Sequence, residues 1–160
     1  MAQSILDYFI QQVTYSPEAL AIVSDDQRIT YRQLNEASNQ LCGQLQRQGV
    51  SPGDNVPLVA LRTPELLIGI LAIIKAGASY IPIDARYPEK RILDIVRQSG
   101  SKVIILSNLS ITFEINNPDV KIIAIDNITS DKLVPFELIN PKSDATAYII
   151  SVSYTHLRAH

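Results

Sequence analysis

The side chains of this chain that could do chemistry are few and widely spaced. Lys75 closes an apolar helical run, and Asp84 follows the short apolar stretch Tyr80–Ile83. Glu89 and Asp94 are too dispersed from Asp84 to form an acid pair or a metal cluster. Cys42 is the single cysteine and falls on an apolar helix face, where a thiol is commonly buried and inert. The chain has 2 histidines, His156 and His160, both in its last five residues. No histidine precedes them, so no nucleophile–base–acid set can be assembled around one. Four residues apart, they would share a helix face as two zinc ligands do. Leu157 stands where the protease pattern needs glutamate, and no third ligand lies nearby. The Asp25–Asp26 pair reads as a solvated turn. From the residues alone, no catalytic, cofactor-binding or metal-ligating position is assigned. Lys75 suits the negative end of its helix dipole, with its stem on apolar surface. Asp84 suits a turn or cap.

The elements that carry these residues are punctuated clearly. Ile5 to Val13 reads as an amphipathic helix with Ile5, Leu6, Phe9, Ile10 and Val13 on its apolar face. Ala19 to Ser24 and Arg28 to Thr30 read as a hairpin. Thr30 and Gln33 fit a reciprocal capping box, opening a helix with Leu34, Ala37, Leu41, Cys42 and Leu45 inward and Gly49 past its end. Asn55 to Leu61 is a buried strand. Pro64 and Glu65 then open a helix whose residues Leu66 to Ala76 are apolar on nearly every side, so both its faces are expected to be buried. Gly77 permits a left-handed stop. Tyr80 to Ile83 is a strand, with Pro82 expected to set a turn. Pro88 opens a further helix with Ile92, Ile95 and Val96 inward, ended by Gly100. Lys102 to Leu106 and Val120 to Ile125 are β-branched strands. Ile139 to Asp144 reads as a linker and Ala145 to Ile150 as another strand. Strands alternating with helices imply an α/β fold, a mostly parallel sheet flanked by helices on both faces.

Bulk properties fit such a domain. Over 160 residues, 46% are hydrophobic and 19% charged. The net charge of −2 gives no reason to expect nucleic acid or an anionic membrane as partner. The first residues, Met1 to Ser4, carry no basic region or apolar run, so no signal peptide is expected. The longest apolar stretch, Leu66 to Ile74, falls short of the roughly 18 residues of a membrane span. A cytoplasmic protein is the default.

Three stretches together resemble one enzyme family. They are Ile29-Thr30-Tyr31-Arg32-Gln33-Leu34, then Lys75-Ala76-Gly77-Ala78-Ser79-Tyr80-Ile81-Pro82-Ile83-Asp84 followed by Tyr87-Pro88-Glu89-Lys90-Arg91-Ile92, and then Ala147-Tyr148-Ile149-Ile150. In order and spacing they resemble the adenylation domains of nonribosomal peptide synthetases, within the AMP-dependent, adenylate-forming ligases. The middle stretch is the most specific. The resemblance implies a parent enzyme that activates an amino acid with ATP and Mg²⁺ as an aminoacyl adenylate and loads it on a carrier-protein thiol. It makes residues 1–150 the N-terminal part of the adenylation domain, a truncated N-terminal subdomain. A ligase of the acyl-CoA synthetase kind is the sibling alternative, and a non-catalytic α/β interaction module or remnant is the alternative from another class.

The family's phosphate-holding loop, rich in Gly, Ser and Thr, should follow Ile150. Here the chain reads Ser151-Val152-Ser153-Tyr154-Thr155-His156 instead, and all 6 glycines lie at or before Gly100. Only glycine lets a backbone approach a phosphate at certain positions of such a loop. ATP and Mg²⁺ are therefore not expected to bind this chain strongly, and it is expected to be inactive alone. Cutting an open sheet partway would leave an edge bare and the Leu66 to Ala76 helix partly uncovered, which favours association. Residues 151–160 are expected to be foreign to the native reading frame. Sequencing an independent clone through the Ile150 codon should reveal a glycine-rich continuation; the same ten codons followed by a stop would refute this.

Overall fold

The computed structural model describes residues 4–25, 27–107 and 118–125. Asp26, the linker 139–144, the strand 145–150 and the histidine tail lie outside the described residues.

The chain opens with α1 (Ile5–Tyr15), entered through a capping box in which Ser4 Oγ accepts from Asp7 N while Asp7 Oδ2 accepts from Ser4 N. An antiparallel hairpin follows, β1 (Leu20–Val23) with β2 (Arg28–Thr30). Thr30 ends that hairpin and caps α2 (Tyr31–Arg47). Its Oγ1 accepts from Gln33 N at 3.1 Å, and Gln33 Oε1 accepts from Thr30 N at 2.9 Å, as the sequence signature requires.

The remaining elements alternate: β3 (Asn55–Ala60), α3 (Pro64–Lys75), β4 (Ser79–Asp84), α4 (Glu89–Ser99), β5 (Val103–Leu106) and β6 (Lys121–Ala124). The four strands form one parallel sheet in the order β4-β3-β5-β6. Side chains of a strand alternate between faces, and both faces here are covered. Val56, Leu58 and Ala60 of β3, with Val103 and Ile105 of β5, join the core built with α1, α2 and α3. Val59, Ile104 and Leu106 point to the opposite face and pack with Ile92 and Val96 of α4. The expected fold class is the observed one.

The helix α3 is the innermost, with every residue from Ile68 to Lys75 buried. From Ile68 onward α1 and α2 lie over it, while Leu66 and Leu67 at its start are only partly buried. Gly69 permits the close approach: a Cβ there would stand 2.8 Å from Leu58 Cδ1. Gly77 stops the helix with φ 77°, and Gly100 ends α4 with φ 66°.

Two expectations are corrected. Pro82 sets no turn. It sits inside β4, opposite Leu58, on the edge of the described sheet, where a missing N–H is tolerated. Ile5 does not face the core; it is 60% exposed, and Leu6, Phe9, Ile10 and Val13 carry the inward face. Consecutive residues are 100° apart on a helix, so Ile5 and Leu6 cannot both sit centrally on the buried arc.

Replacing Gly69 by alanine should destabilise the chain. The helix-propensity gain of about 1 kcal/mol is offset by an overpacking cost of about 1–3 kcal/mol, because the Leu58 side chain must turn away from a Cβ only 2.8 Å from its Cδ1. Urea denaturation of Gly69→Ala measures the net loss, and Gly69→Val should lose more.

Candidate functional site

Ligands of open α/β sheets bind outside the carboxyl ends of the strands, at the point where strand order reverses. Here β4 leaves β3 on one side and β5 on the other, so that point lies between the ends of β3 and β5. Ser107 pins the two strands there. It is fully buried, its N–H donates to Val59 O at 2.9 Å, and its Oγ accepts from Leu61 N at 3.3 Å. The sequence offers no signal for this serine, which simply follows an apolar strand.

Beside it, an open depression of about 530 Å³ lies over the ends of β3 and β4 and the first turn of α3. Its apolar floor includes Leu58, Ala60 and Pro82, and its polar rim is Arg62, Asp84 and Arg86. Asp84 occupies the turn position expected of it. Its Oδ1 accepts from Arg86 N at 2.9 Å and from Arg86 Nε at 3.0 Å, while Oδ2 accepts from Nη2 at 2.8 Å. Those bonds from Arg86 hold the Asp84 carboxyl below the ordinary aspartate range, helped by the charge of Arg62. The pair's stabilisation is present above the normal aspartate pKa and fades as pH falls through the lowered one. Both residues remain substantially exposed, so the pair orders the turn more than it stabilises the fold. Glu89 begins α4, and Asp94 lies 3.7 Å from Arg97. The structure does not gather Asp84, Glu89 and Asp94 into one site, and no metal-holding cluster exists among the described residues.

Lys75 behaves differently from the snorkelling lysine its position suggests. It is 1% exposed. Its Nζ donates to Asn35 Oδ1, Ser38 Oγ and Asn39 Oδ1, each at 2.7 Å, and lies 5.2 Å from the Phe9 ring centroid. All three oxygens come from one face of α2, at helical spacing i, i+3 and i+4. The cage is neutral, so burial dominates and the Lys75 pKa is lowered to about 8. Cys42, buried in the same core as expected, has its thiol raised to about 11 by burial, with the nearby Lys75 charge pulling the other way. Lys75 therefore orders helices and is placed away from the carboxyl-end depression, whose lining does not include it.

A phosphate cradle needs glycines at the carboxyl ends. The positive-φ glycines Gly49, Gly53, Gly77 and Gly100 instead precede β3, β4 and β5, at the opposite end of the sheet. There they tie turns together, as where Gly53 N donates to Gly77 O at 3.0 Å. Among the described residues, then, the site supplies an apolar floor and an ordered Asp84–Arg86 turn, with no left-handed glycine at the carboxyl edge. No helix among them is long and apolar enough to cross a membrane.

A parallel sheet with this strand order, covered by helices on both faces, defines a doubly wound α/β domain. The family model for AMP-binding enzymes matches residues 9–151, and the chain belongs to that family. It is similar to bacitracin synthase 3 of Bacillus licheniformis, with 36% identity over 152 residues, 94% of this chain and 2% of that protein. To malpibaldin synthetase of Mortierella alpina it is 46% identical over 103 residues, 64% of this chain and 2% of that protein. Its structure resembles the nonribosomal peptide synthetase FmoA3 bound to α-methyl-L-serine-AMP, with TM-score 0.77, 25% identity, and coverage of 87% of this chain and 16% of that one. It also resembles the N-terminal subdomain of Klebsiella oxytoca NpsA in complex with 3-hydroxybenzoyl-AMSN, with TM-score 0.69, 25% identity, and coverage of 88% and 36%. The chain corresponds to an N-terminal portion of a nonribosomal peptide synthetase adenylation domain. It spans only 2% of the length of each of these two curated relatives.

Stability against pH should expose the Lys75 cage. The folded pKa is about 8 and the ordinary value 10.5. Between them the unfolded state binds the proton and the folded state does not, so stability rises with pH across that window. Cys42 acts oppositely between 9.0 and about 11. In a Cys42→Ala background, the unfolding free energy should therefore gain about 1 kcal/mol from pH 8 to pH 9. Lys75→Met should abolish that gain and cost about 1–3 kcal/mol at pH 7, because the amide oxygens of Asn35 and Asn39 lose their donor. Equal pH slopes with and without Lys75 would sink this account.

Proposed function

We propose that the protein to which this chain belongs activates an amino acid with ATP, forming an aminoacyl adenylate and pyrophosphate, and passes the acyl group to a carrier-protein thiol. The observation that carries this reading is the match of residues 9–151 to the AMP-binding enzymes, with peptide synthetases as the similar curated proteins. A solved relative that is an artificially fused adenylation–PCP di-domain is consistent with a carrier as partner. Mg²⁺ would accompany the nucleotide, since it neutralises and orients transferring phosphates. A cytoplasmic location fits an enzyme that draws on ATP.

Within that enzyme the described residues are scaffold. They set the apolar floor and the Asp84–Arg86 turn beside the carboxyl edge, while the phosphate-holding residues must come from outside them. Residues 1–150 would form this N-terminal part, and 151–160 would be foreign to it. The alternative, a non-catalytic interaction module or remnant, is favoured by one observation: no glycine follows Gly100.

Two measurements separate the readings. The full-length gene product should catalyse amino-acid-dependent exchange of pyrophosphate into ATP. Exchange supported only by fatty or aryl acids would move the protein to the acyl-CoA synthetase branch, and no exchange would favour the remnant. Calorimetric titration of the 160-residue chain with Mg²⁺ and ATP should give no saturable heat. Millimolar or tighter binding would overturn the scaffold role.

A further inference from the structure

Among the described residues the buried polar ones are Ser38, Lys75 and Ser107. The first two meet in the lysine cage, and Ser107 stands alone at the carboxyl edge. In a parallel ladder each paired residue donates its N–H to one neighbour of its partner and accepts from the other. β3 and β5 follow this rule as far as the pair Val59–Leu106, where Ser107 N donates to Val59 O at 2.9 Å. The next bond of the series would run from Leu61 N to the Ser107 carbonyl. In its place Leu61 N donates to Ser107 Oγ at 3.3 Å, so the side chain takes the N–H that its own backbone would have taken. Leu61 O accepts from Thr63 N at 2.9 Å, which closes a three-residue turn with Arg62 at its apex. On the other side β3 stays bonded to β4 through its last residue, where Ala85 N donates to Ala60 O at 3.0 Å. The sheet therefore parts between β3 and β5, where the strand order reverses. Arg62 is exposed, lines the depression beside that parting, and makes no hydrogen bond or ion pair among the described residues. Its neighbours are engaged: Arg86 is bound to Asp84, and Arg91 lies 4.2 Å from the Tyr87 ring centroid.

We propose that Ser107 is a positioning residue for adenylation that acts through Arg62. By ending the pairing of β3 with β5 it opens the crevice, and it fixes the turn from which Arg62 meets an oxyanion of a reactant, an ATP phosphate or the amino-acid carboxylate. The inference rests on the adenylation reading. One guanidinium does not hold a polyphosphate by itself, so Arg62 serves together with residues that the rest of the enzyme supplies. Removing Ser107 Oγ would leave Leu61 N to bond the Ser107 carbonyl. That bond would extend the ladder, narrow the crevice and withdraw the turn that carries Arg62.

Amino-acid-dependent pyrophosphate exchange by the full-length enzyme tests this. Arg62→Met, at an exposed position, should keep the fold and lower kcat/KM by about tenfold, the worth of one charge-assisted hydrogen bond. A rise in the KM for ATP identifies the oxyanion as a phosphate, and a rise in the KM for the amino acid identifies it as the carboxylate. Ser107→Ala should raise the same KM, and Ser107→Thr, which keeps the oxygen, should bring it back towards wild type. Combining Arg62→Met with Ser107→Ala should cost no more than Arg62→Met alone, because nothing is left for Ser107 to position. Losses that multiply overturn the proposal, since a serine that only supported the fold would act whether or not Arg62 were present. An active wild type equalled by Arg62→Met also overturns it and leaves the adenylation reading standing. A wild type without exchange overturns both.

Discussion

A lysine ammonium sealed inside the protein has to find all its oxygen partners at once, and this constraint fixes how the helical layer is built. Lys75 sits at the end of the most apolar helix, with no carboxylate bonded to it. It can remain charged at neutral pH only because Asn35, Ser38 and Asn39 present three oxygens from a single face of α2. That requirement sets the rotation of α2 about its own axis and its register along α3. Phe9, over the same ammonium, brings α1 into the arrangement. A purely hydrophobic contact between these helices would tolerate sliding; three short bonds to one atom do not.

The sheet inherits its position from that layer. With α3 held from above by α2, it is pressed onto β3 from Gly69, where no side chain intervenes before Leu58. β3 and β5 then bury alternate residues on two opposite faces, one against α3 and one against α4. The reversal of strand order between them brings the carboxyl ends of β3 and β5 together at Ser107. The carboxyl edge is thus a consequence of the crossover pattern, and its apolar floor is the upper end of the same core. The Asp84–Arg86 fork holds the chain open where β4 leads into α4.

Glycine is divided by the same logic. The left-handed glycines serve turns at the amino ends of strands, where the chain must reverse tightly after a helix. The carboxyl end instead uses Pro64 and Pro88, which stiffen the starts of α3 and α4, and Ser107, which ties two strand ends together.

The sequence by itself determined the elements and their order. Capping residues Thr30 and Gln33, the stops Gly77 and Gly100, and the β-branched runs of β3 and β5 act through neighbours a few residues away, so their meaning is readable locally. The resemblance around Lys75 to Asp84 likewise reached the right family, and the turn role of Asp84 followed from its place at a strand end. Only the tertiary structure decided what long-range contacts decide. Lys75 was legible as a helix-end cation, but its cage comes from three residues 36 to 40 positions away. Pro82 read as a turn because proline's local effect is to break pairing, and only the sheet order shows that it stands on an edge where pairing is not needed. Ile5 read as core because periodicity gives the apolar arc without saying how far it extends. Ser107 carried no signal, because a serine after an apolar strand gains its role only when two strand ends meet. Periodicity reports which face is apolar; which atom waits on the other side of that face is set by packing.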